Sequence, residues 1–139
     1  MASLPAADTA QDTATLTAPR LAMLIGYGLM LWASGVLLLR WVAGAGLLDG
    51  DGWQMLVYAL VVVGTVPCIP LGPWLAGLPR SETVRATAIV CATACAIDGL
   101  VIGFAPWIYA DDPVMARACA GCLLWAIGVA LALGLVRRG

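Results

Sequence analysis

The chain contains no histidine and a single phenylalanine, and none of its seven basic residues is a lysine. Without histidine it lacks the commonest metal and haem ligand and the commonest general base. Without lysine it cannot form a Schiff base with retinal or pyridoxal phosphate. Charged residues make up only 11% of the chain, whereas a soluble domain carries about 25%. A net charge of -1 with no basic patch leaves no electrostatic footprint for nucleic acid. This inventory calls for no cofactor and no metal.

What is present is apolar. Of the 139 residues 63% are hydrophobic, and the mean hydropathy of +0.98 says that most of the surface meets lipid. The length suits one small bundle. Four runs nearly free of charge are each long enough to cross about 30 Å of hydrocarbon, which predicts spans over about 21–41, 53–73, 84–108 and 114–136. The predicted fold is therefore all-α: a polytopic four-transmembrane-helix bundle with short loops over 20–139.

The stretch 1–19, rich in Ala, Thr, Asp and Pro, lacks the basic start and apolar core of a signal peptide and reads as a disordered cytoplasmic tail. Asp49-Gly50-Asp51-Gly52 and Pro79-Arg80-Ser81-Glu82 read as turns. Ser81 is the expected N-cap of the third helix. Asp112 caps the fourth, with Pro113 at its first position. Arg20, Arg80, Arg85, Arg137 and Arg138 fall on one side of the bilayer. Arg40 and Arg117 fall on the other, with Asp49, Asp51, Asp111 and Asp112. The positive-inside rule then puts both termini in the cytoplasm of a bacterial inner membrane, with Trp41, Trp53 and Trp107 at the outer interface and Trp74 at the inner one.

Pro67, Pro70 and Pro73 recur through the second span, which predicts a kink or an early helix end there. The fourth span carries Ala118, Cys122, Ala126, Ala130 and Gly134 at intervals of four, one continuous shallow face suited to close helix packing. On the third span Thr87, Cys91, Ala94, Cys95 and Asp98 form an inward stripe, and Ile89, Val90, Ile97, Leu100 and Phe104 point away toward lipid. Gly99 and Gly103 add a second small pair.

Three constellations carry candidate chemistry. Asp98 is the one acid deep in a span, where a charge costs about 2.5–3.5 kcal/mol on insertion scales. It must be neutral, paired or exposed to a water-filled cavity, and Arg40 and Arg117 are placed to reach toward it. Cys119-Ala120-Gly121-Cys122 is a CxxC motif near a helix start, a pattern for disulfide exchange. Small apolar packing explains the same cysteines. Trp32 and Trp125 lie within spans and can either wall a ligand pocket or fill gaps beside Gly28, Gly35 and Gly121.

From Gly26 onward the chain resembles an uncharacterised family of small bacterial four-helix inner-membrane proteins. The likeness rests on Leu31-Trp32-Ala33 leading to Arg40, on Ile97-Asp98 followed by Phe104, and on Leu123-Leu124-Trp125-Ala126-Ile127-Gly128-Val129 with Gly134-Leu135. The resemblance implies four spans and makes Arg40, Asp98 and Trp125 family-like features. It implies no activity, and it does not extend to a CxxC pair.

Strong packing signals and scarce catalytic ones give a leading expectation of a non-enzymatic accessory or assembly protein, packed in the lipid bilayer against itself or another membrane protein. The first alternative is a small proton-coupled transporter or lipid-like-ligand binder using Asp98. The second is a membrane thiol–disulfide oxidoreductase using Cys119 and Cys122.

Overall fold

A computed structural model describes residues 16–48, 50 and 52–136. Of the expected tail over 1–19, residues 1–15 lie outside the described residues, as do Asp49, Asp51, Arg137 and Arg138, while Ala18 and Pro19 already belong to the first helix. Four helices account for nearly all of the described chain: α1 (Ala18–Gly44), α2 (Gly52–Leu75), α3 (Thr83–Phe104) and α4 (Pro113–Val136). All four are long and apolar enough to cross a membrane, and the protein is a multi-pass, all-α bundle.

The helix ends follow from local chemistry. At the end of α1, Gly46 adopts a φ of 72°, and the Gly46 and Leu47 amides bond back to the Ala43 and Val42 carbonyls. At the end of α2, Gly77 has a φ of 60°, and the Gly77 and Leu78 amides return to Trp74 and Pro73. Both are glycine-terminated Schellman stops, open only to a residue without a Cβ penalty. At the start of α4 the Met115 amide donates to Asp112 Oδ2 at 2.8 Å, so Asp112 caps the helix as its sequence predicts.

Three expectations are corrected. Ser81 does not cap α3. It lies inside a short 3₁₀ turn, Arg80–Glu82, that leads into the helix, and no side chain caps that end. The third helix stops at Phe104, short of 108, because Pro106 pushes the preceding Ala105 to an extended φ of -144°. The chain then makes a second 3₁₀ turn, Pro106–Ile108. Finally, the early helix end expected at the prolines is not seen: α2 continues as helix through all three.

Each helix runs back along its predecessor, but the first two helices are not each other's main partners. The helix α1 packs chiefly on α3, α3 on α4 and α4 on α2, while α1 and α2 touch little. Glycine sets the closest approaches. A Cβ on Gly28 would stand 3.0 Å from the Val90 carbonyl oxygen, and one on Gly134 would stand 3.4 Å from Thr87. These contacts draw α1 and α4 onto the two sides of α3. Two apolar cores result. One, around Leu39, Tyr109 and Cys119, occupies the end where α1 finishes. The other, around Leu24, Tyr27 and Ala86, occupies the opposite end.

Candidate functional site

Between the two cores, where α1 and α2 touch little apart from the bond that the Tyr27 hydroxyl donates to the Cys68 carbonyl at 3.1 Å, lies a crevice of about 550 Å³. That volume falls within the range of small-molecule sites, about 300–1,000 Å³. Its floor is the inward stripe of α3 (Thr87, Cys91, Ala94 and Asp98) together with Ala126 and Ala130 of α4, and almost all of the wall is apolar. Small residues on the two floor helices are what leave the space open.

Asp98 sits in this wall with only 2% of its surface exposed. Two neutral donors converge on one of its oxygens. Trp32 Nε1, from α1, donates to Oδ1 at 2.7 Å. The Tyr109 hydroxyl, from the connection after α3, donates to the same oxygen at 2.5 Å. The other oxygen, Oδ2, is buried and has no hydrogen-bond partner. Thr87 Oγ1, on the same face of α3, is also buried without a partner. Buried polar groups in folded proteins are nearly always paired, and leaving one unpaired costs about 1–3 kcal/mol. Both residues belong to the lining of the one crevice.

Tyr109 is fully buried. Burial, reinforced by the hydrogen bond to Asp98, pushes its hydroxyl well above the usual tyrosine range, so it remains a proton donor at neutral pH. Its position depends on Arg40. The Arg40 guanidinium donates to the Trp107 carbonyl at 2.8 Å and the Ile108 carbonyl at 3.4 Å, and pairs with Asp111 at 3.0 Å. The end of α1 thereby holds the turn that delivers Tyr109 to Asp98.

The candidate residues sort as follows. Neither Arg40 nor Arg117 bonds Asp98. Arg40 acts on it only through the Tyr109 turn, and Arg117 Nε donates to the Pro113 carbonyl of its own helix. The ion-pair expectation is replaced by neutral donors because the Pro106 turn brings an aromatic hydroxyl, rather than a guanidinium, over the acid. Trp32 lines the crevice. Trp125 does not. Its indole donates to the Tyr58 carbonyl at 3.3 Å and its ring lies 6.2 Å from that of Tyr58, on the far side of α4.

The small-residue ladder of α4 is turned inward: Cys122, Ala126 and Ala130 line the crevice and Gly134 packs on Thr87. On α3 the inward stripe is rotated from the expected one, leaving Cys95 exposed and Val90 buried. No side chain contact of this chain fills the space beside Gly99 or Gly103. All five cysteines are free thiols, with Cys119 and Cys122 wholly buried. Among the described residues no cluster of three or more His, Cys, Asp or Glu is placed to hold a metal ion.

Tyr109 and Thr87 are the participants that sequence reading does not single out as polar partners. The only signal for Tyr109 is a tyrosine three residues beyond a helix-ending proline. No protein-family model, curated protein or solved structure matches this chain.

Proposed function

We propose that this protein is a membrane-embedded binder of a single-chain, lipid-like ligand, held in the crevice between α1 and α2 with Asp98 as its polar anchor. The observation that carries this reading is the unpartnered, buried Oδ2 of Asp98 on the wall of an otherwise apolar crevice. An apolar pocket with a few convergent polar groups is the usual form of a small-molecule site. An acid retained inside a membrane bundle is commonly functional. The sparse contact between α1 and α2 is the route we assign to an apolar chain entering from the bilayer.

An accessory or assembly role draws less support, since Cys122, Ala126 and Ala130 of the small-residue face turn toward this chain's own crevice and Gly134 packs on Thr87. The thiol-exchange reading draws less still, because Cys119 and Cys122 are sealed in the core. The proposed setting is a bacterial inner membrane with both termini cytoplasmic. It rests on the placement of Arg20, Arg80 and Arg85 at one end, against Arg40 and Arg117 accompanied by Asp111 and Asp112 at the other.

The test is native mass spectrometry of the protein released from phosphatidylcholine nanodiscs in the presence of dodecanol. The wild type should carry a one-to-one adduct, and Ala126→Phe or Ala94→Leu, which fill the crevice floor, should lose it. Equal adducts on the wild type and both filled variants, or none on any of them, would refute crevice binding.

A further inference from the structure

Building on that crevice reading, we infer that the ligand's head group is a protonated amine, so that the site selects single-chain amphiphiles bearing an ammonium N–H over neutral or anionic ones. Three observations lead to this class.

The first is the set of partners around Asp98. Oδ1 is satisfied by an indole N–H and a phenolic O–H, both neutral. The cations nearest in sequence or space are committed elsewhere. Arg40 holds the Trp107 and Ile108 carbonyls and Asp111, and Arg117 holds Pro113. Arg85, at the opposite end of α3, pairs with Glu82 at 3.5 Å. Among the described residues the carboxyl is thus oriented by neutral donors, while its second oxygen has no hydrogen-bond partner and no cation pairs with it. An ammonium group supplies both at once. A hydroxyl supplies only a donor, a quaternary ammonium only a charge, and a sulfate or carboxylate neither.

The second is the surroundings of Oδ2. The crevice wall is apolar, and a charge-assisted hydrogen bond is roughly twice as strong as a neutral one. Low local polarity magnifies the difference.

The third is shape. Asp98 and Thr87 lie eleven residues apart on one face of α3, about 16 Å at helical rise. Cys91 and Ala94 between them also line the crevice. A head group at Asp98 therefore directs an apolar chain along α3 toward Thr87. A crevice of about 550 Å³ suits one chain rather than a two-chain phospholipid.

The experiment compares a matched series (dodecylammonium, dodecyltrimethylammonium, dodecanol and dodecyl sulfate) for protection of the full-length protein against thermal exposure of its buried thiols, read with a thiol-reactive fluorophore. Buried Cys119, which does not line the crevice, reports unfolding. Dodecylammonium should protect at an apparent concentration about tenfold or more below dodecanol, the ratio expected when a neutral bond becomes charge-assisted. Dodecyl sulfate should rank last. In Asp98→Asn the acceptor for Trp32 and Tyr109 is kept and only the free carboxyl oxygen is lost, and there the preference should collapse to about twofold or less.

Should Asp98→Asn fail to fold, Asp98→Glu, which displaces the free oxygen by one methylene, replaces it, and the same loss of ranking is expected. Equal protection by dodecylammonium and dodecanol, abolished by Ala126→Phe, would overturn the ammonium assignment and leave crevice binding standing. Protection unaffected by Ala126→Phe would overturn both. Adding lysophosphatidylethanolamine identifies the source of the amine: displacement of dodecylammonium points to a lysolipid head group, and no displacement points to a free amphiphilic amine.

Discussion

Tyr109 reaches back eleven residues to donate its hydroxyl to Asp98 Oδ1, the same oxygen that Trp32 meets from α1. Two rigid aromatic donors on one oxygen fix the plane of the carboxyl and leave the second oxygen buried without a hydrogen-bond partner. Tyr109→Phe and Trp32→Phe should each destabilise the protein by about 0.6–1.7 kcal/mol, the range measured for hydrogen bonds inside membrane bundles. Because both act on one atom, the double variant should depart from additivity by about 0.5 kcal/mol or more. Denaturant titration in detergent, followed by tryptophan fluorescence for the tyrosine variant and by circular dichroism for the others, measures this. A Tyr109→Phe protein as stable as the wild type would show that the bond contributes nothing.

Arg40 governs Asp98 at one remove. Its ion pair with Asp111 is exposed and on its own contributes about 0–1 kcal/mol. Its bonds to the Trp107 and Ile108 carbonyls, however, hold the turn that positions Tyr109. Arg40→Ala should therefore weaken protection by crevice ligands about as much as Tyr109→Phe does. Arg117→Ala, which removes only a bond within α4, should leave it unchanged, and so should Asp111→Asn. Ligand titrations on the four variants separate positioning through the turn from a general effect of surface charge.

The sequence makes the spans legible because hydropathy and length alone decide them, and Asp112-Pro113 is legible because capping is local chemistry. The site is legible only in part. Asp98 stands out as a lone acid in an apolar run, and Trp32 as an intramembrane indole. That they meet depends on the rotation of α1 against α3, which Gly28 sets by contact with the Val90 carbonyl, and no periodicity encodes that contact. Tyr109 is hidden for a related reason. Extending α3 to 108 puts the tyrosine beyond the end of a helix, whereas stopping at Phe104 folds it back over Asp98. The small-residue ladder of α4 is visible as a face, but sequence does not say whether a face meets this chain or another.

Gly28 and Gly26 make a controlled pair on one helix. A Cβ at Gly28 would press on the Val90 carbonyl oxygen at 3.0 Å and on Thr93 Cβ at 3.1 Å, while one at Gly26 would meet nothing within 4 Å. Backbone cannot swing aside as a side chain can, so Gly28→Ala forces α1 away from α3. It should cost about 1–3 kcal/mol, whereas Gly26→Ala should be neutral or slightly stabilising through helix propensity. Separation of α1 from α3 also lengthens the Trp32–Asp98 bond, so Gly28→Ala should weaken ligand protection as well. Melting curves of the two alanine variants, with and without dodecylammonium, test both statements. Equal melting temperatures would mean that the α1–α3 crossing tolerates a methyl group.

Thiol reactivity should follow burial rather than motif. Cys119 and Cys122 have the CxxC spacing of a redox pair, yet they are 0% and 1% exposed, and the Cys119 thiol faces the Leu39 carbonyl at 3.9 Å. Cys95 has no such spacing partner in a redox motif and lies on the outer surface of α3. Treatment of the folded protein with the membrane-permeant reagent N-ethylmaleimide should modify Cys95 first. Cys119 and Cys122 should react only as fast as the bundle opens, because attack requires both access and a thiolate. Peptide mapping after timed labelling gives the order. Rapid loss of the Cys119 and Cys122 thiols before Cys95, or their recovery as a disulfide from intact membranes, would mean that the first turns of α4 open in the native state and would restore the thiol-exchange reading.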